Sequence, residues 1–276
     1  MTRTKEEVLM NEASVYILGA RGSVPVSAPW FSSYGGATTC VLVRLSDRYF
    51  ILDAGTGILR LPPDALAQPQ LTLLLSHVHL DHLNGLSMCP YVMRRDRVLD
   101  IYGSPADGSS IGDVLHKLYS PPVWPVLPED LAATLRFHPL PDTLTLGDVR
   151  VTTLDGVHPG GVKLVRLSGD GKSVVFATDC TLTAAFYPAA VEFAKGCDLL
   201  FCDGQYSEEE YRTRSGFGHN TWLTAARFGA DCGAKQLRIL HHDPSHTDAV
   251  LDAAEREAQG VNPNCRFARE GEEISF

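Results

Sequence analysis

The run Ser76-His77-Val78-His79-Leu80-Asp81-His82 constrains this chain more than any other feature, because it sets three imidazoles and a carboxylate within six residues. It follows the apolar stretch 71–75, which reads as a buried strand, and precedes the amphipathic stretch 83–93, which reads as a helix. Imidazole and carboxylate together are what divalent transition metals prefer. His77 and His79 alternate along the strand end and so point the same way. Asp81 and His82 lie in the turn that follows. One ion does not easily take all four groups from so tight a loop. The run therefore predicts two adjacent ions, each completed from elsewhere in the chain.

The rest of the sequence supplies a scaffold for such a turn. Stretches 14–18, 39–45 and 48–52 read as strands punctuated by Gly, Asp or Ser. Strand signals recur at 150–154, 162–167 and 173–177, the last two joined by a Gly169-Asp170-Gly171 hairpin turn. Strand and helix then alternate, with helices at 183–194, 221–229 and 247–259 and strands at 199–202 and 236–240. Residues 97–140 differ. A helical stretch at 111–118 leads into YSPPVWPVLP (119–128), whose prolines exclude regular helix or central strand, so 97–140 reads as an insertion or flap. Tyr119 and Trp124 are expected to pack within it. Two sheets with helices outside, in a single domain over 1–276, is the architecture this order predicts.

Composition bears on the partner. The net charge of −9 argues against affinity resting on a broad basic face. It leaves room for positive charge supplied by metal ions. No segment approaches the roughly 18 apolar residues of a membrane helix, and Met1 to Ala13 shows no signal-peptide core. Seven scattered cysteines without a CxxC pair fit reduced core thiols, so a cytoplasmic location is expected.

Three further residues lie just past predicted strand ends, where ligand sites of α/β sheets collect: His158, Asp179 and His241. The order His-His-Asp-His, His, Asp, His resembles the metallo-β-lactamase superfamily, over residues 14–246. That resemblance implies an α/β fold, a four-layer αββα sandwich, and a dinuclear site. It implies that His77, His79 and His158 hold one metal, that Asp81, His82 and His241 hold the other, and that Asp179 bridges them. Asp53, in Ile51-Leu52-Asp53-Ala54-Gly55-Thr56-Gly57, matches the family's early Asp–Gly turn and is expected to support ligands rather than be one. Cys180 is expected to be a buried neighbour of the bridging aspartate.

Gly218-His219-Asn220-Thr221, with Asp203 at the end of an earlier strand, resembles the tRNase Z-like phosphodiesterases, although Asn220 stands where that branch has serine. There an acidic residue orients the histidine that protonates the leaving alkoxide. The segments Gly19-Ala20-Arg21-Gly22-Ser23-Val24-Pro25, His158-Pro159-Gly160-Gly161, Asp203-Gly204-Gln205-Tyr206 and His241-His242-Asp243-Pro244 resemble a small bacterial subgroup of metal-dependent hydrolases. The catalytic candidates are accordingly His219, Asp203 and Asp81, and Arg21 is the candidate phosphate contact. His242 and His246 are expected either to support ligands or to be exposed.

The resemblance implies a hydrolase with two divalent ions, zinc first and manganese or iron as alternatives. The expected reaction is attack of metal-bound hydroxide on a small or cyclic nucleotide-type phosphodiester. No long exosite arm is evident, so no extended nucleic acid and no membrane is expected as partner; a homodimer is compatible. The alternatives are a thioester or lactone hydrolase of the same fold, and a non-catalytic metal- or ligand-sensing module.

Overall fold

Alternation along single strands builds the molecule. In the computed structural model, which describes residues 13–276, the first sheet runs from edge to edge as Glu273–Ser275 (β14), Ser14–Gly19 (β1), Cys40–Leu45 (β2), Arg48–Leu52 (β3), Gln70–Leu74 (β4), Val98–Tyr102 (β5) and Thr134–His138 (β6). The second runs as Cys265–Phe267 (β13), Gln236–Leu240 (β12), Leu199–Asp203 (β11), Lys172–Ala177 (β10), Val162–Gly169 (β9), Val149–Gly156 (β8) and Thr143–Leu146 (β7). Each sheet is half antiparallel and half parallel. Pairing switches at β3 in the first sheet and at β10 in the second. The polar segment 1–12, read above for its lack of a signal-peptide core, lies outside the described residues.

Successive side chains of a strand face opposite sides of its sheet. Val41 and Val43 of β2 therefore meet Val174 and Phe176 of β10 in one core between the sheets. Leu42 and Ile51 face the other way, toward Ala65 of the helix Pro63–Ala67 (α1) and Ile111 and Leu115 of the helix Ile111–Leu118 (α2). Val175 and Ala177 likewise face the helices Tyr187–Ala194 (α3), Trp222–Asp231 (α5) and Asp248–Val261 (α6), through Ala190, Phe228 and Leu251. A fourth helix of this half, Glu208–Arg214 (α4), starts in a capping box made by Ser207 and Glu210. Three buried layers between four tiers of structure are the expected αββα sandwich. Each fully buried Val, Leu or Phe adds about 1.5–3 kcal/mol relative to exposure.

Three expectations are corrected. Residues 83–93 form no α-helix; one short 3-10 turn, Leu86–Met88, lies there, just after another at Leu80–His82. The backbone there bonds to a neighbouring loop instead of to itself: Gly85 N–H donates to Ala54 O and Ala54 N–H to His82 O. A Cβ at Gly85 would lie 2.2 Å from Gly55 O, so only glycine permits this approach. The ends of 97–140 are strands β5 and β6, so the excursion from the sheet is shorter than read. Within it Tyr119 is buried, its ring edge-on to Trp124 and its hydroxyl donated to Leu83 O. The helix expected from 183 begins at Tyr187. All seven cysteines are free and buried. No helix among the described residues is long and apolar enough to cross a membrane.

Candidate metal centre

Strand ends converge here, and three of them are bent to do so. Asp53, Asp179 and His241, just past β3, β10 and β12, have φ of 60°, 51° and 64°. This left-handed region is uncommon for residues other than glycine, though Asp and His are enriched in it. The bend turns each side chain back over its strand end, into a space shared with the loop 76–82. All three are essentially inaccessible to solvent.

Ligand-capable atoms of His77, His79 and His158 lie within 4.8 Å of one another, and so do those of Asp81, His82 and His241. Asp179 reaches both groups. Its Oδ1 is 3.9 Å from His77 Nε2, 4.0 Å from His158 Nε2 and 3.0 Å from His241 Nε2, and its Oδ2 is 3.4 Å from His82 Nε2. Asp81 Oδ2 lies 3.2 Å from His82 Nε2 and 3.1 Å from His241 Nε2. The seven residues proposed from sequence are thus brought together, and the same space also groups Asp53 with His77 and His82, and Asp179 with Asp203, His219 and His241.

Outer partners aim the rings. Asp53 Oδ2 takes the Nδ1 proton of His82 at 2.7 Å and the Ser76 hydroxyl at 2.7 Å. Ser76 Oγ in turn is 3.0 Å from His77 Nδ1. His158 Nδ1 donates to Gly218 O at 3.0 Å, and His241 Nδ1 faces Gln205 Oε1 at 3.3 Å. In all four rings Nδ1 is held from behind and Nε2 is directed inward, as ligating histidines are held. His77 Nε2 and His82 Nε2 are buried with no hydrogen-bond partner. Leaving such atoms unsatisfied costs about 1–3 kcal/mol each. Lone pairs and carboxylates converging on one space form a donor set that fits two divalent cations. The set suits zinc, manganese and iron alike.

The electrostatics favour neutral rings at three of the histidines, whereas His82, despite its burial, is held well above its ordinary range by Asp179, Asp81 and Asp53. Burial and the neighbouring His82 hold His77 well below the ordinary histidine range, so it is a neutral donor. Burial also lowers His79 and His158. Burial alone would raise Asp179, but His241, His82 and His77 outweigh it and hold the carboxyl well below its usual range. Asp81 is lowered in the same way, with His82 and His241 outweighing its burial.

Beside this cluster, His219 Nδ1 lies 2.6 Å from Asp203 Oδ2, and the His219 ring stacks on His241 with centroids 4.8 Å apart. Burial would lower His219, but Asp203 chiefly, then Asp179 and Asp81, raise it to about 9. Asn220, the departure from serine, donates to Cys180 O at 2.6 Å and accepts from Leu182 N–H at 2.8 Å. It ties the His219 loop to the Asp179 loop. Cys180 is indeed a buried neighbour, its thiol pushed up to about 12 by burial.

Arg21 does not reach the site as a phosphate contact. Its guanidinium is fully buried and donates to the carbonyls of Gly35, Asp243 and His246, with its Cζ 4.9 Å from the Phe31 ring centre. It joins three loops. His242 and His246 are both buried; their Nε2 atoms pair with Ala268 O and Glu210 Oε1, and burial pushes His242 down to about 3. Supporting residues that the sequence reading left unassigned are Ser76, Gln205, Gly218 and Ser23, whose N–H donates to Asp81 Oδ2 at 2.7 Å. The signal for each was adjacency to a ligand motif; at Gly218 it was glycine itself, since a Cβ there would lie 2.2 Å from His158 Nδ1.

The β-lactamase superfamily domain matches residues 48–242. The chain belongs to this superfamily. It is a metallo-β-lactamase-fold hydrolase with a donor set compatible with divalent metals. The probable metallo-hydrolase YhfI of Bacillus subtilis (strain 168) is 24% identical over 266 residues, covering 93% of this chain and 97% of that protein. The crystal structure of YhfI superposes with a TM-score of 0.73 at 21% identity, over 96% of this chain and 100% of that one. A ribonuclease Z of Synechococcus sp. (strain CC9311) is 33% identical over 123 residues, which is 44% of this chain and 38% of that enzyme. A diphosphatase of the PhnP family has a TM-score of 0.68 at 16% identity, over 96% of this chain and 98% of that one. The structural likenesses, all below 25% identity, show the fold alone.

Proposed function

We propose that this hydrolase is a phosphodiesterase acting on a small phosphodiester, cyclic or nucleotide-type, at a dinuclear centre. His77, His79 and His158 would hold one ion, Asp81, His82 and His241 the other, and Asp179 would lie between them. When bound, such ions supply Lewis acidity and an activated water at neutral pH. The chain's own residues supply the rest. Asp53 and Ser76 fix the rings of His82 and His77, and Gly218 O fixes His158. A water oxygen forms the new P–O bond while the bond to the leaving alcohol breaks. The attacking water gives up a proton to solvent, the alcohol oxygen takes the proton of His219 Nε2, and solvent returns one to His219.

The observation that carries this reading is the His219–Asp203 pair beside the cluster. With Nδ1 tied to Asp203 and the ring raised to about 9, His219 is a proton donor at neutral pH. An alkoxide leaving from phosphorus needs such a donor, worth about 10²–10⁴ in rate. A sensing module has no use for one. A relative named ribonuclease Z, 33% identical over 44% of this chain, supports the same choice of phosphate chemistry.

The test is a substrate panel for the metal-loaded protein: bis-p-nitrophenyl phosphate, cyclic nucleotides, thioesters and lactones. Diester hydrolysis is expected. Turnover of carbonyl substrates alone would overturn the choice, and a metal-replete protein inert to all of them would favour the sensing role.

A further inference from the structure

A cavity of about 580 Å3 opens beside the metal centre, lined among others by Ser23, Gln205, Tyr206, Arg214, Phe217 and Asp243. Its walls locate it. Ser23 donates to Asp81, Gln205 faces His241, and the Tyr206 ring stands edge-on to His219 with centroids 5.8 Å apart. Neither His219 nor any of the seven ligand candidates lines it, so these wall residues, which touch His219 and the Asp81 and His241 side, are what place it. The cavity therefore opens on the side of the proton donor. In an in-line displacement, the group that leaves with the donor's proton departs on that side.

The lining also indicates what would fit. Phe217, in the 3-10 turn Ser215–Phe217, keeps 61% of its surface exposed at the cavity. Gly218, with φ of 97°, ends that turn just before His219. Opposite in character is Arg214, whose guanidinium lies 5.3 Å from the centre of the Tyr206 ring. Its Nη1 is 3.1 Å from Asp243 Oδ2 and 3.9 Å from Glu210 Oε1. Two carboxylates thus neutralise the one cation, and the cavity has no surplus positive charge for a second phosphate. An exposed aromatic face, a guanidinium plane and the amide and carboxylate edges of Gln205 and Asp243 suit an uncharged planar ring with polar edges.

We propose that this cavity is a leaving-group subsite that receives a nucleobase, stacked on Phe217 and bordered by Arg214 and Tyr206. The proposal rests on the phosphodiesterase reading above and adds which half of the diester is recognised. It makes Phe217 a specificity residue: stacking there positions the departing nucleoside oxygen at His219.

The test compares a dinucleoside monophosphate, which releases a nucleoside, with the methyl ester of the same nucleotide, which releases methanol. Phe217→Ala is expected to lower the ratio of kcat/KM for the two substrates by about 10–100-fold, the range of base–aromatic stacking. Phe217→Tyr should restore most of it. Equal losses on both substrates, or no loss on either, would overturn the subsite. Saturation-transfer NMR with adenosine supplies a readout independent of turnover. Base protons should contact the wild-type protein and lose that contact in Phe217→Ala. If the wild type hydrolyses no diester yet these contacts appear and vanish as stated, the phosphodiesterase reading fails and the cavity stands as a nucleobase site without its leaving-group role. If diesters are cleaved and the ratio does not move, the reverse holds.

Discussion

Asp203→Asn is the most informative single change, because it removes a charge while keeping a hydrogen-bond acceptor of the same shape beside His219. The rise of His219 from the ordinary 6.5 to about 9 corresponds to roughly 3 kcal/mol of preference for the imidazolium. Asp203 is the largest contributor in that direction, ahead of Asp179 and Asp81, and burial opposes all three. Without the Asp203 charge, only Asp179 and Asp81 still oppose burial, and His219 falls back toward its ordinary value. A full return to 6.5 would cut the protonated fraction at pH 8 from about nine-tenths to a few per cent, so the loss of the working acid is bounded at roughly 30-fold. The assay is kcat/KM against pH on a diester with an alkyl leaving group and on one with a p-nitrophenyl leaving group. The alkaline limb for the alkyl substrate should move down from about 9 toward 6.5, with a loss of up to about 30-fold at pH 8. The aryl diester, whose leaving group departs as a stable anion, should lose only a few-fold. An unmoved alkaline limb would refute the reasoning, as would equal losses on both substrates.

Other changes probe the supports. Asp53→Asn weakens the acceptor that fixes His82 Nδ1 and should lower affinity for one of the two metals by about 10–100-fold, read by calorimetric titration of chelator-treated protein. Gly218→Ala forces a Cβ against His158 Nδ1 at a left-handed backbone position, adding about 1–3 kcal/mol of strain; metal content at the His77, His79 and His158 group should drop even where circular dichroism is native. Arg21→Ala should destabilise by about 2–4 kcal/mol in urea unfolding, since three buried carbonyls lose a charged donor. Its KM at a temperature where it stays folded should be within about twofold of wild type; a large rise would restore Arg21 as a phosphate contact. In chelator-treated protein, His219 has a folded value above its unfolded one. Its contribution to stability is therefore full below about 6.5 and lost as pH rises through about 9, and urea midpoints should fall across that window less in Asp203→Asn than in wild type.

Much of the architecture was legible because the central strands are apolar on both faces. Stretches such as 173–177 and 199–202 bury every residue and have the length of strands. The order of the candidate ligands was legible because most follow such a strand; His158 follows β8, which alternates buried with more exposed residues. What escaped notice was mostly short or polar, β5 excepted, whose largely buried VLDIY was taken into the insertion. β13 and β14 are three residues each, and β6 carries His138 and Arg136 at an exposed edge. Their pairing is imposed by neighbours rather than by their own patterns. The stretch 83–93 misled in the opposite sense: Leu83, Leu86 and Met93 have helical spacing, but Gly85 gives its backbone to the Asp53 loop. Arg21 misled because a Gly-rich turn reads as exposed, whereas this one is folded beneath the carbonyls of Asp243 and His246. The backs of the histidines, where Ser76 and Gln205 act, could not be inferred from spacing; they depend on which loops meet in space.

Metal content tests the central claim most directly. Protein purified, saturated with zinc or manganese and dialysed should retain about two ions per chain by plasma mass spectrometry. His82→Ala and His77→Ala should each reduce that number toward one while the far-ultraviolet spectrum stays native. Native folding with no retained metal after saturation, or retention unaffected by both substitutions, would contradict the account.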